Sequence, residues 1–395
     1  MNAQAHLQHW PSKLLLVFLC FFVAAVSFGG FFEKWNFRDG TKFSGMAIAE
    51  GKAARPFVYR QLLPTLSNIA ERAVPNRINH GFQSWLARDP KHHNMIYSYF
   101  PNAVDSANVA YAVRYYTLYF LAFLSLVAAV FALRKLCLDL YGDQPAATLA
   151  AMGMALLLPV FLTEGGYYYD LAELLFMPLA VILAMRGNLW LLALLVGVAT
   201  FNKESFLLFV ITLYPFLRAR LNVKRAIALE AGLLAIAVVV NVLVKYQFSS
   251  NPGEFAQFQL LDHLRWLMRP TSYFLFEVNY GVPTPKGLNI INLLLLATLV
   301  RNSWKYLSPA MRQHIWLAFG ISFPLFLAFC YEGELRNFSL LYVGFTVMLC
   351  VNVAMVLQRW YRGAVTLRSA GIAVPEPEAR PVLLGGEVGR TVMRG

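Results

Sequence analysis

The chain has 395 residues, of which 58% are hydrophobic and only 14% charged, with a mean hydropathy of +0.52. Soluble domains carry about 25% charged residues, so a large soluble domain is excluded and a polytopic membrane protein is indicated. The net charge of +13 is better assigned to loops held on the cytoplasmic side than to nucleic-acid binding.

The first apolar run, 14–32, is longer than a signal-peptide core and lacks an A-x-A-like cleavage site, so it reads as an uncleaved span with the N-terminus inside. A long polar segment, 33–107, follows and is expected to carry interfacial helices. Within it "ARPFVYRQLLPTL" is stiff, cationic and aromatic, and Pro56 suits the first turn of a helix. That helix would lie along the membrane surface, anchored by Phe57 and Tyr59, with Arg60 either snorkelling to headgroups or aimed at a substrate phosphate. His80, His92 and His93 also fall in this loop, but two adjacent histidines without a third ligand assign no metal site.

Further spans are predicted at 109–133, 146–163 and 170–185. The next run is too long for one crossing and has charges in its middle. It reads as a helical hairpin, 188–201 and 206–217, with Asn202, Lys203 and Glu204 at the tip. Spans at 226–245, 287–300, 314–331 and 338–358 flank a second polar segment, 246–286. The expected class is therefore an all-α polytopic membrane protein with about ten transmembrane or half-membrane helices. It forms a single transmembrane domain over 1–368, followed by a disordered cytoplasmic tail at 369–395. Cys20, Cys137, Cys330 and Cys350 have no paired spacing and read as buried free thiols. Basic residues cluster in alternate short loops, which puts both termini in the cytoplasm and the segments 33–107 and 246–286 outside.

On this topology Glu33, Asp39, Arg60, Asp170, Glu173, Lys203, Glu204, Glu332, Glu334 and Arg336 all reach the outer face. Charges at membrane depth are functional candidates by default. Asp170 and Glu173, three residues apart, share a helix face. Lys203 and Glu204 are adjacent and so point to different partners. Tyr168, within the run Tyr167–Tyr169, is either part of an interface belt or a stacking platform for a sugar. Carboxylates can deprotonate a hydroxyl nucleophile, and cations can stabilise a phosphate leaving group.

The stretches "FEKWNFRDG", "RPFVYRQLLP", "YYYDLAELLF", "ATFNKESFLLF" and "GELRNFSLLY" resemble bacterial multispan proteins of the GT-C glycosyltransferase superfamily. The resemblance extends to about residue 358. It implies a GT-C-like fold and a transferase that moves a sugar from a polyprenyl-phosphate donor to an envelope glycan or lipid acceptor at the outer face of the inner membrane. It implies Glu33 or Asp39 as the catalytic base, soon after the first span. Tyr59, Arg60, Tyr168, Asp170, Glu173, Lys203, Glu204, Glu332, Glu334 and Arg336 are the candidates to bind substrate. No cofactor is implied beyond a divalent cation, whose use is left open. A transporter or lipid flippase, and a non-catalytic assembly factor of envelope polysaccharide synthesis, are the competing readings.

Overall fold

The computed structural model describes residues 10–254 and 258–369. Helix α1 spans Trp10–Trp35. The first long loop then holds α2 (Gly45–Ala49), α3 (Leu62–Ala73), α4 (Asn76–Arg88), α5 (Pro90–His93) and α6 (Met95–Tyr99). Next come α7 (Ala112–Tyr141), α8 (Gln144–Phe161), α9 (Tyr168–Arg186), α10 (Leu189–Asn202), α11 (Phe206–Ile211), α12 (Tyr214–Arg218) and α13 (Val223–Gln247). The second polar segment contains α14 (Leu260–Leu267) and two antiparallel strands, β1 (Phe276–Asn279) and β2 (Val282–Pro285). Helices α15 (Ile290–Ser303), α16 (Pro309–Phe329) and α17 (Tyr342–Ser369) follow.

Six of these helices, α1, α7, α8, α9, α13 and α17, are long and apolar enough to cross a membrane. Local chemistry sets their ends. Gly142 and Gly187 adopt left-handed conformations just past α7 and α9, where a side chain would be strained. Asp143, Asn188, Asn222 and Ser308 each accept a backbone N–H in the first turn of the helix that follows.

Helix α9 is the centre of the bundle. Of its apolar window 72% is buried, against 22% for α13 and 28% for α1, which lie at the periphery. It packs against α7 and α10, while α8 packs against α1, α7 and α17. The hairpin formed by α10 and α11 rests on α13, and α12 rests on α16. One apolar core joins α1, α7, α8 and the first half of α9 to the first long loop. A second fills the other half of the bundle, from α8 through α13 to α16 and α17.

The two ends differ. One end gathers both long polar segments: Arg55 Nη2 donates to Gly253 O, Asn251 Nδ2 donates to Gly51 O and Ala53 O, and Lys34 pairs with Glu277. The opposite end carries Arg186 paired with Asp139, and Arg220 donating to Met185 O. All four cysteines are free and buried.

Two expectations need correction. Pro56 does not open a surface helix: Phe57–Tyr59 form a single 3-10 turn, and α3 begins only at Leu62. Val58, Tyr59, Arg60, Gln61 and Leu63 are buried, because Arg60 turns inward to a carboxylate and Gln61 donates its N–H to Phe201 O. The chain is mostly helical, as expected of an all-α membrane protein, and adds one short hairpin in which β1 and β2 pair through a two-residue turn with Tyr280 and Gly281 both at positive φ. Helix α7 runs to Tyr141 rather than stopping before Arg134, which lies within it and donates to Thr148. The tail expected from 369 onward lies, after Ser369 itself, outside the described residues.

Candidate functional site

At the loop-rich end the hairpin tip between α10 and α11 meets the start of α9. Lys203 Nζ donates to Asp170 Oδ1 at 2.9 Å and to Glu173 Oε2 at 2.6 Å. Its neighbour Glu204 turns the other way and receives both Nε and Nη2 of Arg60, at 3.1 and 2.7 Å. Arg60 Nη1 also donates to the Tyr169 hydroxyl at 3.0 Å. From the turn before α17, Arg336 pairs with Glu334 and lies 3.6 Å from Asp170.

The carboxylate oxygens of this network are committed. Asp170 Oδ2 accepts the Tyr167 backbone N–H, Glu173 Oε1 accepts the Ser205 hydroxyl, and Glu334 Oε2 accepts the Tyr331 N–H. Seven of the charged residues expected at the site thus come together, drawn from four separate segments. Three cations face four carboxylates, so each charge is paired but one negative charge is in excess, and all but Glu204 and Arg336 are almost fully buried. Buried charges are tolerated only when paired and hydrogen-bonded in this way. The arrangement acts as a clamp joining α9, the hairpin, the approach to α3 and the approach to α17.

The tyrosines flank the clamp. Tyr168 and Tyr59 are only 1% and 5% exposed, so neither forms an interface belt. Tyr168 packs edge-on against Phe37, and its hydroxyl is buried without a partner. Tyr167 stacks on Tyr169 at 5.0 Å, and the Arg336 guanidinium sits 4.7 Å from its ring.

On Tyr167 also lies a residue that the reading of charges by position had passed over. The Arg38 guanidinium is 5.0 Å from the Tyr167 ring and 4.3 Å from Trp35. It makes no side-chain hydrogen bond or ion pair among the described residues, and its Nε is buried. Arg38 has φ +58 in the tight turn "WNFRDG", a strained conformation for a residue with a side chain. The only hint of this in sequence was its position beside Asp39 in the quoted motif. The turn at Gly165–Gly166 closes over it: a Cβ on Gly165 would stand 2.6 Å from Arg38 Nη2, and one on Gly166 would stand 2.5 Å from Trp35 Cδ1.

Asp39 is the next residue. Its Oδ2 accepts the Tyr115 hydroxyl at 2.8 Å and the Asp105 backbone N–H at 3.1 Å, while Oδ1 is buried with no partner. Burial pushes its carboxyl up to about 7. The Tyr115 hydrogen bond opposes that rise and the nearby Asp105 charge adds to it. Asp105 Oδ1 in turn accepts the Gly40 N–H at 3.3 Å. Two carboxylates from segments 66 residues apart therefore share one turn.

The other expected site residues lie apart from these groups. Glu33 is exposed at the end of α1 and makes no hydrogen bond or ion pair among the described residues. Glu332 is exposed as well and lines a separate cavity with Glu164 and Lys286. His92 pairs with Asp89 and His93 stacks on Trp85. Among the described residues no three His, Cys, Asp or Glu side chains are grouped to hold a metal ion.

Comparison with family models, with curated proteins and with solved structures finds no match to this chain.

Proposed function

We propose that the protein is a membrane glycosyltransferase of the GT-C type, taking its sugar from a polyprenyl-phosphate donor. The observation that carries this reading is the turn at 38–39. Consecutive residues there supply a carboxylate with one uncommitted oxygen and a guanidinium outside any hydrogen bond or ion pair among the described residues. Asp39, its carboxyl pushed by burial up to about 7, is suited in its ionised form to accept a proton from an acceptor hydroxyl. Arg38 is suited to a phosphate, which it can bind through two parallel hydrogen bonds.

In the reaction the acceptor oxygen attacks the anomeric carbon as its proton passes to Asp39 Oδ1. The bond from that carbon to the phosphate oxygen breaks, and the polyprenyl phosphate leaves with the electron pair, its charge facing Arg38. Tyr115 and Asp105 orient Asp39. The clamp around Lys203 keeps the helix ends in register, and Tyr167 links it to Arg38.

On this reading α10, α11–α12, α15 and α16 complete a bundle of about ten transmembrane or half-membrane elements. The loop-rich end faces outward from the bacterial inner membrane, and both termini are cytoplasmic. The concentration of Arg134, Lys135, Arg186 and Arg220 at the opposite end supports that orientation.

The test is transfer by purified protein from polyprenyl-phosphate sugars to envelope acceptors, comparing wild type with Asp39→Asn and Glu33→Gln. Loss in Asp39→Asn with retention in Glu33→Gln is expected. No transfer by wild type with any donor, or equal transfer by Asp39→Asn, defeats the reading.

One observation favours transport as a second reading. Glu230 in α13 is buried with both carboxylate oxygens unpartnered, and intramembrane carboxylates often mark ion or proton paths. Substrate flux across sealed vesicles without a covalent product would establish that alternative.

A further inference from the structure

A cavity of about 360 Å³ opens where three separated segments meet at the loop-rich end. Glu164, Lys286, Glu332, Tyr331, the Trp266 ring and the backbone of Gly333 line it. Its size falls at the lower end of the range for small-molecule sites. The walls approach so closely because two glycines face each other. Gly287 and Gly333 have φ of +58 and +74, and a Cβ on Gly287 would stand 3.3 Å from Gly333 Cα. A Cβ on Gly333 would stand 3.5 Å from the Trp266 ring. Glu164 is itself held at φ +57, and the Thr163 hydroxyl donates to Gly333 O, fixing the turn that presents it. Backbone strain of this kind is retained where surrounding contacts over-determine it, commonly beside ligand sites.

The charges of the lining do not cancel. Lys286 pairs with Glu164, whereas Glu332 is exposed and has no hydrogen bond or ion pair among the described residues. A surplus carboxylate repels anions and accepts hydrogen bonds from hydroxyl or ammonium groups. Trp266, Tyr331 and Leu275 supply an apolar and aromatic wall. A ligand with a C–H face on one side and several donors around its edge matches both features, and that is the chemistry of a sugar ring.

We infer that this cavity binds one saccharide ring, neutral or amino-substituted but not anionic, as the acceptor subsite of the reaction proposed above, on which this assignment rests. Glu332 receives the ring's donors, and an amino group there forms a charge-assisted hydrogen bond. The clamp lies directly behind the site, since Gly333 precedes Glu334 in the same turn.

Saturation-transfer NMR on the full-length protein in nanodiscs, with glucosamine, glucose and glucose 6-phosphate as probes, tests this. Glucosamine is expected to bind best, then glucose, with glucose 6-phosphate weaker than glucosamine by about tenfold or more. Glu332→Gln, an exposed and conservative change, should bring glucosamine and glucose within about twofold of each other. Absence of binding by either uncharged or amino sugar, equal binding of the phosphate, or an unaltered preference in Glu332→Gln overturns the subsite. Sugar binding as described in a protein that transfers nothing overturns the transferase and leaves the subsite standing. Transfer with a preference insensitive to Glu332→Gln does the reverse.

Discussion

Asp105 donates its backbone N–H to Asp39 Oδ2 at 3.1 Å, tying the end of the first long loop to the turn that opens it. The bond leaves Oδ1 of Asp39 as the uncommitted oxygen and places a second carboxylate beside it. Transfer should therefore rise with pH and level off above about 7, as Asp39 loses its proton. Asp39→Asn should lower turnover by about 10²–10⁴-fold and abolish that rise. The measurement is the pH dependence of kcat/KM for both proteins.

The same carboxyl makes a stability prediction of definite sign. Its folded value is raised, so ionising Asp39 weakens the fold as pH climbs from 3.8 to about 7. Asp39→Asn removes a buried charge and should melt higher than wild type at pH 8. Near pH 4, where both side chains are neutral, the gap should close. Thermal unfolding in one detergent at several pH values checks this.

Arg38 has no carboxylate partner to lose. Arg38→Gln should leave the melting temperature nearly unchanged and weaken use of a phosphate-linked donor by about tenfold or more. Arg38→Lys should recover only part of that, because a point charge cannot reproduce two parallel hydrogen bonds. Donor titrations at fixed acceptor distinguish the variants.

Lys203→Met should behave in the opposite way. It leaves Asp170 and Glu173 buried with reduced compensation, and breaking one partner of a buried pair costs about 3–5 kcal/mol. Loss of folded protein on size-exclusion chromatography, with a lowered melting temperature, is expected before any kinetic effect is read.

Gly166→Ala should disturb the turn over Arg38. The new methyl would meet Trp35 Cδ1 at 2.5 Å, and the Trp35 indole would have to move off Leu162 O, to which it now donates at 2.9 Å. Overpacking of this kind costs about 1–3 kcal/mol. Intrinsic fluorescence and thermal unfolding report the shift.

The helices were legible because apolar run length is written directly in the sequence. The hairpin with Lys203 and Glu204 at its tip follows from charges interrupting one such run, and the two residues do point to different partners. The strands were not legible: Tyr280 occupies a turn position where Asn or Asp is usual, and Pro283 and Pro285 interrupt the alternation of β2. Convergence of the charged residues could be expected from sidedness, but not their mutual pairing, which depends on side-chain reach. Arg38 and Asp105 gain their significance only from tertiary closure. An arginine in a basic loop carries no mark that its counter-ion is missing, and an acid 66 residues from Asp39 carries no mark that it will be its neighbour.

The clamp also bears on how the chain is made. Asp170, Glu173 and Arg60 are synthesised before the hairpin tip that satisfies them, and the last cation, Arg336, emerges only near the end. A nascent chain stopped before Arg336 would hold Asp170 against a single lysine. Closure of the charge set thus reports synthesis past residue 336, and ribosome-released fragments ending before Arg336 would expose an unsettled acid to membrane quality control.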